Sequence, residues 1–131
     1  MSGSERFVPR PRRPVDPAAR PRIDRLPQVK AELQRILTDT ERIVSRGEDA
    51  FLSHEDRTNY LAGSALIIHF DDIARHRLSD TVRSAFPDAL WLQISATRNI
   101  LAHNYTAADR HSVWLSLSVE LPQLIRRILS E

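Results

Sequence analysis

The 131-residue sequence contains no cysteine. This absence excludes disulfide scaffolds, thiolate metal sites and thiol nucleophiles, and it favours a reducing cytoplasm as the location of the protein. Glycine is scarce, with three residues, and no apolar run approaches the roughly 20 residues that a membrane span requires. The sequence therefore predicts one small globular domain that does not cross a membrane.

Lysine is almost absent as well, since Lys30 stands against eighteen arginines. The first 25 residues hold seven arginines and three acidic residues, a local balance of +4 that leaves −2 for the other 106 residues. Five of the eight prolines lie in the same segment, where they remove backbone donors and interrupt helical periodicity. We predict a disordered Arg/Pro-rich tail over residues 1–25. It is an electrostatic arm for RNA or DNA, a solvated extension, or the result of an upstream start-codon assignment.

The rest of the chain shows helical periodicity. From Leu26 to Val44, apolar residues recur at steps of three and four, which predicts a first helix that Gly47 can end. A second helix is predicted from Tyr60 to Leu78, after a capping box formed by Ser53 and Asp56. The nearly continuous apolar residues at 66–70 indicate that this second helix is buried on more than one side.

Three further helices are predicted. A short one covers residues 79–86 and stops before Pro87. A fourth helix begins near Asp88 and fades over residues 104–108. The last helix is capped by Asp109 and contains Pro122, which should bend its axis. The predicted fold class is all-α: a four-helix-type up-and-down bundle over residues 26–131, with a short extra helix.

Residues 98–105 concentrate the side chains suited to catalysis. Arg98 supplies a permanent planar cation, His103 an imidazole and Tyr105 a phenol. Phosphodiester chemistry uses such groups, because a histidine can move a proton at the 2′-hydroxyl or the leaving oxygen. A guanidinium can stabilise the charge on a five-coordinate phosphorus.

Helix geometry separates two of these groups. Five residues of ideal helix leave Arg98 and His103 about 140° apart around the axis, whereas Asn99 and His103 are neighbours at i and i+4. A compact site therefore needs either unwinding at the end of the helix or a second subunit related by a two-fold axis. The second option predicts a homodimer.

This segment resembles the R-N-x3-H-x-Y signature of the HepT-like HEPN family. The resemblance continues on both sides: residues 87–91 (PDALW) look like the family's entry to the motif helix. Residues 113–114 and 121–124 look like its closing helix, and residues 51–52 resemble its loop after helix one. The similarity covers about residues 26–130, nearly the whole predicted folded part.

The resemblance implies a small helical bundle that dimerises with the motifs facing each other, and a metal-independent endoribonuclease toxin without a cofactor. Arg98 and His103 would be the catalytic pair, with Asn99 as a polar support. Tyr105 would be the residue to which an MntA-like minimal nucleotidyltransferase antitoxin adds AMP. That modification would introduce bulk and negative charge into a cleft that binds phosphate.

The second predicted helix departs from the family pattern. Where the family usually has I-G-E-A, with a glutamate that approaches the cleft, residues 69–74 read HFDDIA. Either Asp71 or Asp72 substitutes for that glutamate as a supporting residue, or the cleft differs in activity. A further interpretation is that the two aspartates form a solvated break in the apolar pattern.

Other residues admit both a functional and a structural interpretation. His69, Asp72 and His76 have helical spacing for a metal site, but the two histidines are roughly 10 Å apart along a helix, which favours an ordinary polar surface. Trp91 and Trp114 lie on apolar stripes and are expected in the core or at a dimer contact rather than in base stacking.

Two functional hypotheses of different class follow. The first is a ribonuclease toxin that cleaves RNA and is controlled by its antitoxin. The alternative is a non-catalytic helical dimer that binds a nucleotide or a partner protein. A third possibility is a substrate or effector of a neighbouring transferase outside growth arrest.

Overall fold

The computed structural model describes residues 26–104 and 106–130, and the segments with regular structure in this part of the chain are all helical. This confirms the predicted all-α bundle. The predicted tail over residues 1–25 lies outside the described residues, as does Tyr105. Among the described helices, none is both long and apolar enough to cross a membrane.

The first helix, α1, covers Leu26–Val44, as the apolar stripe predicts. The residues that it buries follow the steps of three and four of that stripe: Val29, Leu33, Ile36, Leu37, Thr40 and Ile43. Gly47 follows the helix with φ 97°, a conformation that glycine adopts without the steric cost of a Cβ. The helix itself ends at Val44, three residues before this glycine.

A short helix, α2 (Glu48–Leu52), follows at once, where the sequence predicts a loop at residues 51–52. The reason is that Phe51 is fully buried, and a single helical turn brings its ring into the core. Phe51 packs edge-on against Tyr60 at 5.5 Å between centroids. Burial of one aromatic side chain thus orders a segment too short to show periodicity.

The central helix, α3, covers Thr58–His76, two residues earlier at each end than predicted. The hydrogen bond expected of a capping box is present, since Ser53 Oγ accepts the Asp56 backbone N–H at 3.1 Å. It lies in the turn before α3 and does not cap this helix, which begins at Thr58. Asp56 Oδ1 then accepts the Thr58 N–H at 3.0 Å. Hydrogen bonds from the side chain and then the backbone of Thr58 lower the pKa of Asp56.

A short helix, α4 (Asp80–Ser84), matches the predicted connector, with Ser79 Oγ accepting the Val82 N–H at its start. The motif helix, α5, then runs over Asp88–Asn104. Its beginning at Asp88 confirms the prediction from the proline at position 87.

The closing segment consists of α6 (Arg110–Leu115), a π-helical turn (Ser116–Glu120) and α7 (Leu121–Leu129). Asp109 caps it through the His111 N–H at 3.1 Å, as predicted. Where the sequence predicts a bend, the chain inserts the wider π turn, and the Leu121 N–H bonds to Ser116 O, five residues back. This is a recognised way to accommodate a disrupted hydrogen-bond ladder, since Pro122 has no N–H to donate.

Helices α1, α3 and α5 and the closing segment pack around a common core in a ring. The first helix packs on α3 and α7, while α5 packs on α3 and the π turn. Both tryptophans pack against the core as expected. Trp91 stacks on Phe70 with 6.3 Å between centroids, and Trp114 lies 5.3 Å from Phe51. The motif helix is thus held by neighbours on two sides, and its third side faces outward.

Candidate functional site

The motif helix remains α-helical through both Arg98 and His103. The helix therefore does not unwind between them, which removes the first of the two ways of bringing the guanidinium and imidazole together, unwinding at the end of the helix or a second subunit. Within one protomer, ideal geometry keeps the two positions about 7.5 Å apart along the axis and about 140° apart around it. The contacts of each residue agree with this separation.

Arg98 faces the neighbouring helix α3. Its side chain is 30% exposed, and its Nε lies 3.6 Å from Asp71 Oδ2. This distance is an ion-pair separation and too long for a hydrogen bond, and the buried Nε has no hydrogen-bond acceptor among the described residues. Arg98 Nη1 donates to Asn99 Oδ1 at 3.3 Å. The guanidinium is therefore attracted to Asp71 while retaining donor capacity.

Asp71 is the buried centre of this cluster, with a side chain that is 4% exposed. Its Oδ2 accepts from Arg75 Nε at 2.6 Å, and its Oδ1 accepts from Ser95 Oγ at 2.9 Å. A buried carboxylate requires such partners to offset its desolvation. Asp72 instead lies on the surface, with Oδ1 3.6 Å from His76 Nε2. Of the two aspartates, the structure brings Asp71 to Arg98.

His103 lies on the opposite side of α5, in its last turn, and is exposed together with Asn99. Ideal rotation places both residues on the same face as Leu92 and Ile100, within an arc of about 100°. Leu92 is 68% and Ile100 is 53% exposed. The outward face of the motif helix thus combines an imidazole and an amide with large apolar side chains.

The closing segment, which packs on α5 through the π turn, also carries exposed apolar side chains. Thr97 and Ser116 hydroxyls lie 3.1 Å apart, which joins α5 to the π turn. Leu115 and Val119, on that segment, are 50% and 54% exposed. We call Leu92, Ile100, Leu115 and Val119 the outer apolar surface.

The comparison with protein families decides the identity of the chain. The model of the ribonuclease HepT-like family matches residues 33–130, which include Arg98 and His103. The chain belongs to the HepT-like ribonuclease family. Membership supports nuclease activity in general. No curated protein and no solved structure shows a significant match.

The sequence analysis does not identify two members of this cluster, Arg75 and Ser95. The spacing of Asp71 and Arg75 is that of an i, i+4 helical ion pair. Ser95 precedes Arg98 by three residues, a spacing that places both on one side of α5. These spacings within α3 and within α5 are the sequence signals for the cluster, and neither of them specifies that α3 and α5 pack against each other.

The remaining predicted residues are placed as follows. Tyr105 lies outside the described residues, between Asn104 and Thr106. Among residues 26–104 and 106–130, no three His, Cys, Asp or Glu side chains are grouped so that they could hold a metal ion. The His69, Asp72 and His76 spacing therefore assembles no ligand set there.

Proposed function

We propose that the chain is a metal-independent endoribonuclease toxin whose active site forms between two copies of α5. Membership of the HepT-like ribonuclease family supports the activity. The observation that carries the dimeric arrangement is the opposite orientation of Arg98 towards α3 and His103 towards solvent on an uninterrupted helix.

The exposure of α5 supports a second copy as its partner. This 17-residue helix buries only two residues, Ile94 and Leu101, whereas the 19-residue α3 buries nine. Exposed apolar side chains grouped around polar residues are characteristic of protein contact surfaces. A two-fold contact on this outward side of α5 would bury these side chains, and in the proposed dimer the His103 of one protomer completes a site with the Arg98 of the other.

The proposed reaction uses the RNA substrate's own 2′-hydroxyl as nucleophile. His103 removes the hydroxyl proton as the oxygen attacks the adjacent phosphorus, and the bond to the 5′-oxygen of the next nucleotide breaks. Arg98 stabilises the additional negative charge on the five-coordinate phosphorus. The protonated His103 returns its proton to the departing 5′-oxygen, directly or through water, and the products are a 2′,3′-cyclic phosphate and a 5′-hydroxyl.

Two neighbouring residues have supporting roles in this proposal. Asn99 lies four residues before His103 on the outward face, and its Oδ1 accepts from Arg98 Nη1 at 3.3 Å. In this proposal its amide orients the imidazole or the phosphate. We propose that Asp71 substitutes for the family's usual glutamate, because its carboxylate lies near Arg98. The surface position of Asp72 leaves it the weaker candidate for that role.

Tyr105 is the proposed site of control. It follows the last residue of α5 by one position, two residues after His103. Transfer of AMP to its phenol by an MntA-like minimal nucleotidyltransferase antitoxin would place a phosphate beside the cleft, where it would exclude RNA by bulk and charge. Mass spectrometry of the chain after coexpression with such an enzyme tests this step, and an unmodified Tyr105 would contradict it. We place both proteins in the cytoplasm with the RNA.

The decisive experiment is cleavage of total RNA by the purified protein in excess EDTA. We expect fragments that end in 2′,3′-cyclic phosphate, and their loss in His103→Ala. His69→Ala is the matched control, because it removes an exposed histidine from α3 and should leave cleavage unchanged. If wild type and His103→Ala are equally inactive, the chain is instead a helical dimer that binds a nucleotide or partner without cleavage.

A further inference from the structure

The carboxylate of Asp71 is shared between two arginines. Arg75 Nε lies 2.6 Å and Arg98 Nε 3.6 Å from the same oxygen, Oδ2. The two Nε atoms are therefore separated by no more than the sum of these distances. With two guanidinium cations and one carboxylate, the cluster has an excess of one positive charge, since the remaining close partner, Ser95, is neutral.

The two arginines that carry this excess charge are more exposed than the carboxylate between them. The Asp71 side chain is 4% exposed, whereas those of Arg98 and Arg75 are 30% and 42% exposed. Each arginine contacts the carboxylate through Nε, at the stem side of the guanidinium, so the Nη groups extend beyond the contact. The Nη donors of two neighbouring guanidinium groups, of which Arg98 Nη1 also donates to Asn99 Oδ1, match the oxygens of a phosphate.

We propose that Arg75 is a second phosphate-binding residue, which together with Arg98 holds the RNA backbone at the edge of the cleft, and that Asp71 positions both. The inference rests on the proposed function in taking RNA as the ligand, and it deepens that function by assigning a backbone subsite. Arg75 belongs to α3 and Arg98 to α5, so the subsite lies where these two helices pack.

The neighbouring Arg77 shows the effect of having a carboxylate that is not shared with a second arginine. Arg77 forms a close ion pair with Glu32, and the two side chains are equally exposed. That pair has one cation and one anion, and its charges cancel. Arg75 has only part of a carboxylate, because Asp71 also faces Arg98. Of these two arginines on the same end of α3, Arg75 is the one whose charge remains available to an anion.

The experiment measures binding rather than cleavage. A fluorescein-labelled single-stranded RNA of about twelve nucleotides is titrated with His103→Ala and with the double variant Arg75→Gln, His103→Ala over a series of salt concentrations. Loss of one phosphate contact should reduce the magnitude of the slope of log K against log salt by about 0.7 per bound site. We expect this reduction, with affinity lowered several-fold at about 0.1 M salt.

Two variants on the same background control for charge and for folding. Arg127→Gln removes one exposed positive charge from α7, a helix that packs on α1, and should leave the slope unchanged. Arg75→Lys keeps the positive charge, so its slope should remain close to that of the parent. If Arg75→Lys loses the slope as fully as Arg75→Gln, the effect acts through the structure around Asp71, and the proposal is overturned.

The outcomes separate this inference from the nuclease proposal. An unchanged slope in Arg75→Gln overturns the subsite even if the wild type cleaves RNA, and Arg75 is then only a structural partner of Asp71. A reduced slope supports the subsite even if the wild type proves unable to cleave. Failure of the His103→Ala protein to bind the RNA overturns the subsite as well.

Discussion

A composite site can be tested by mixing two inactive proteins. Arg98→Ala removes the proposed charge stabilisation and should lower the cleavage rate by roughly 100- to 1,000-fold. His103→Ala removes the proposed proton transfer and should lower it by roughly 100- to 10,000-fold. Each homodimer then lacks one essential group in both of its sites.

The heterodimer of these two variants differs from both homodimers. One of its two sites combines the intact Arg98 of one protomer with the intact His103 of the other, while the second site lacks both groups. Because one site of two is complete, a purified heterodimer should regain about half of the wild-type rate. The prediction depends on α5 keeping the two residues about 7.5 Å apart along the axis and on different faces.

The assay is cleavage of a fluorescently quenched RNA in EDTA by heterodimers isolated through two different affinity tags. A heterodimer of two wild-type chains carrying the same tags is the control. A heterodimer as inactive as the two variant homodimers would refute the reasoning, because it would mean that Arg98 and His103 act within one chain or that all four groups are needed at once.

Three other substitutions test the outer apolar surface, the buried carboxylate and the core. Ile100→Asp places a charge at a position that is 53% exposed, so circular dichroism should be unchanged while light scattering shows a monomer; a persistent dimer would contradict the proposed interface. Asp71→Asn weakens the contacts of a carboxylate that is 4% exposed, and we expect about 2 kcal/mol less stability towards urea together with loss of RNA cleavage. Unchanged stability would show that the ion pairs contribute little. Gly63→Ala would put a Cβ 2.7 Å from both Leu117 Cδ2 and Phe51 Cε1, and this overpacking should lower Tm by about 5 °C; an equal or higher Tm would mean that the buried neighbours move aside at little cost.

The long helices could be predicted because each one buries a stripe several turns long. The stripe that begins at Val29 continues over four turns, enough for its period to stand out from chance. The five residues of α2 cover little more than one turn and show no period. The π turn could not be predicted either, since Pro122 predicts a disturbed helix but does not specify how the backbone accommodates the proline.

In the candidate site as well, features set by a single helix could be predicted, whereas features set by the packing of two helices could not. The angle between Arg98 and His103 follows from helix geometry, and the uninterrupted α5 agrees with it. Asp71 and Asp72 are adjacent in sequence and about 100° apart on the helix. Only the packing of α3 on α5 determines which of them is buried, and the same packing brings in Ser95 and Arg75.

The positions of the two proposed catalytic groups also bear on how such a nuclease is controlled. Arg98 is held by a buried carboxylate between α3 and α5 and does not depend on a partner for its placement. His103 is exposed on the surface through which a second copy would bind. In the proposed mechanism a monomer contains both groups but does not bring them together, and activity would require the same contact that buries the outer apolar surface. Modification at Tyr105, two residues after His103, would add its bulk and charge beside the half of the site that only dimerisation completes. Control at that position would then act on a site shared by both protomers, so that one modification could affect the contributions of both chains to a single cleft.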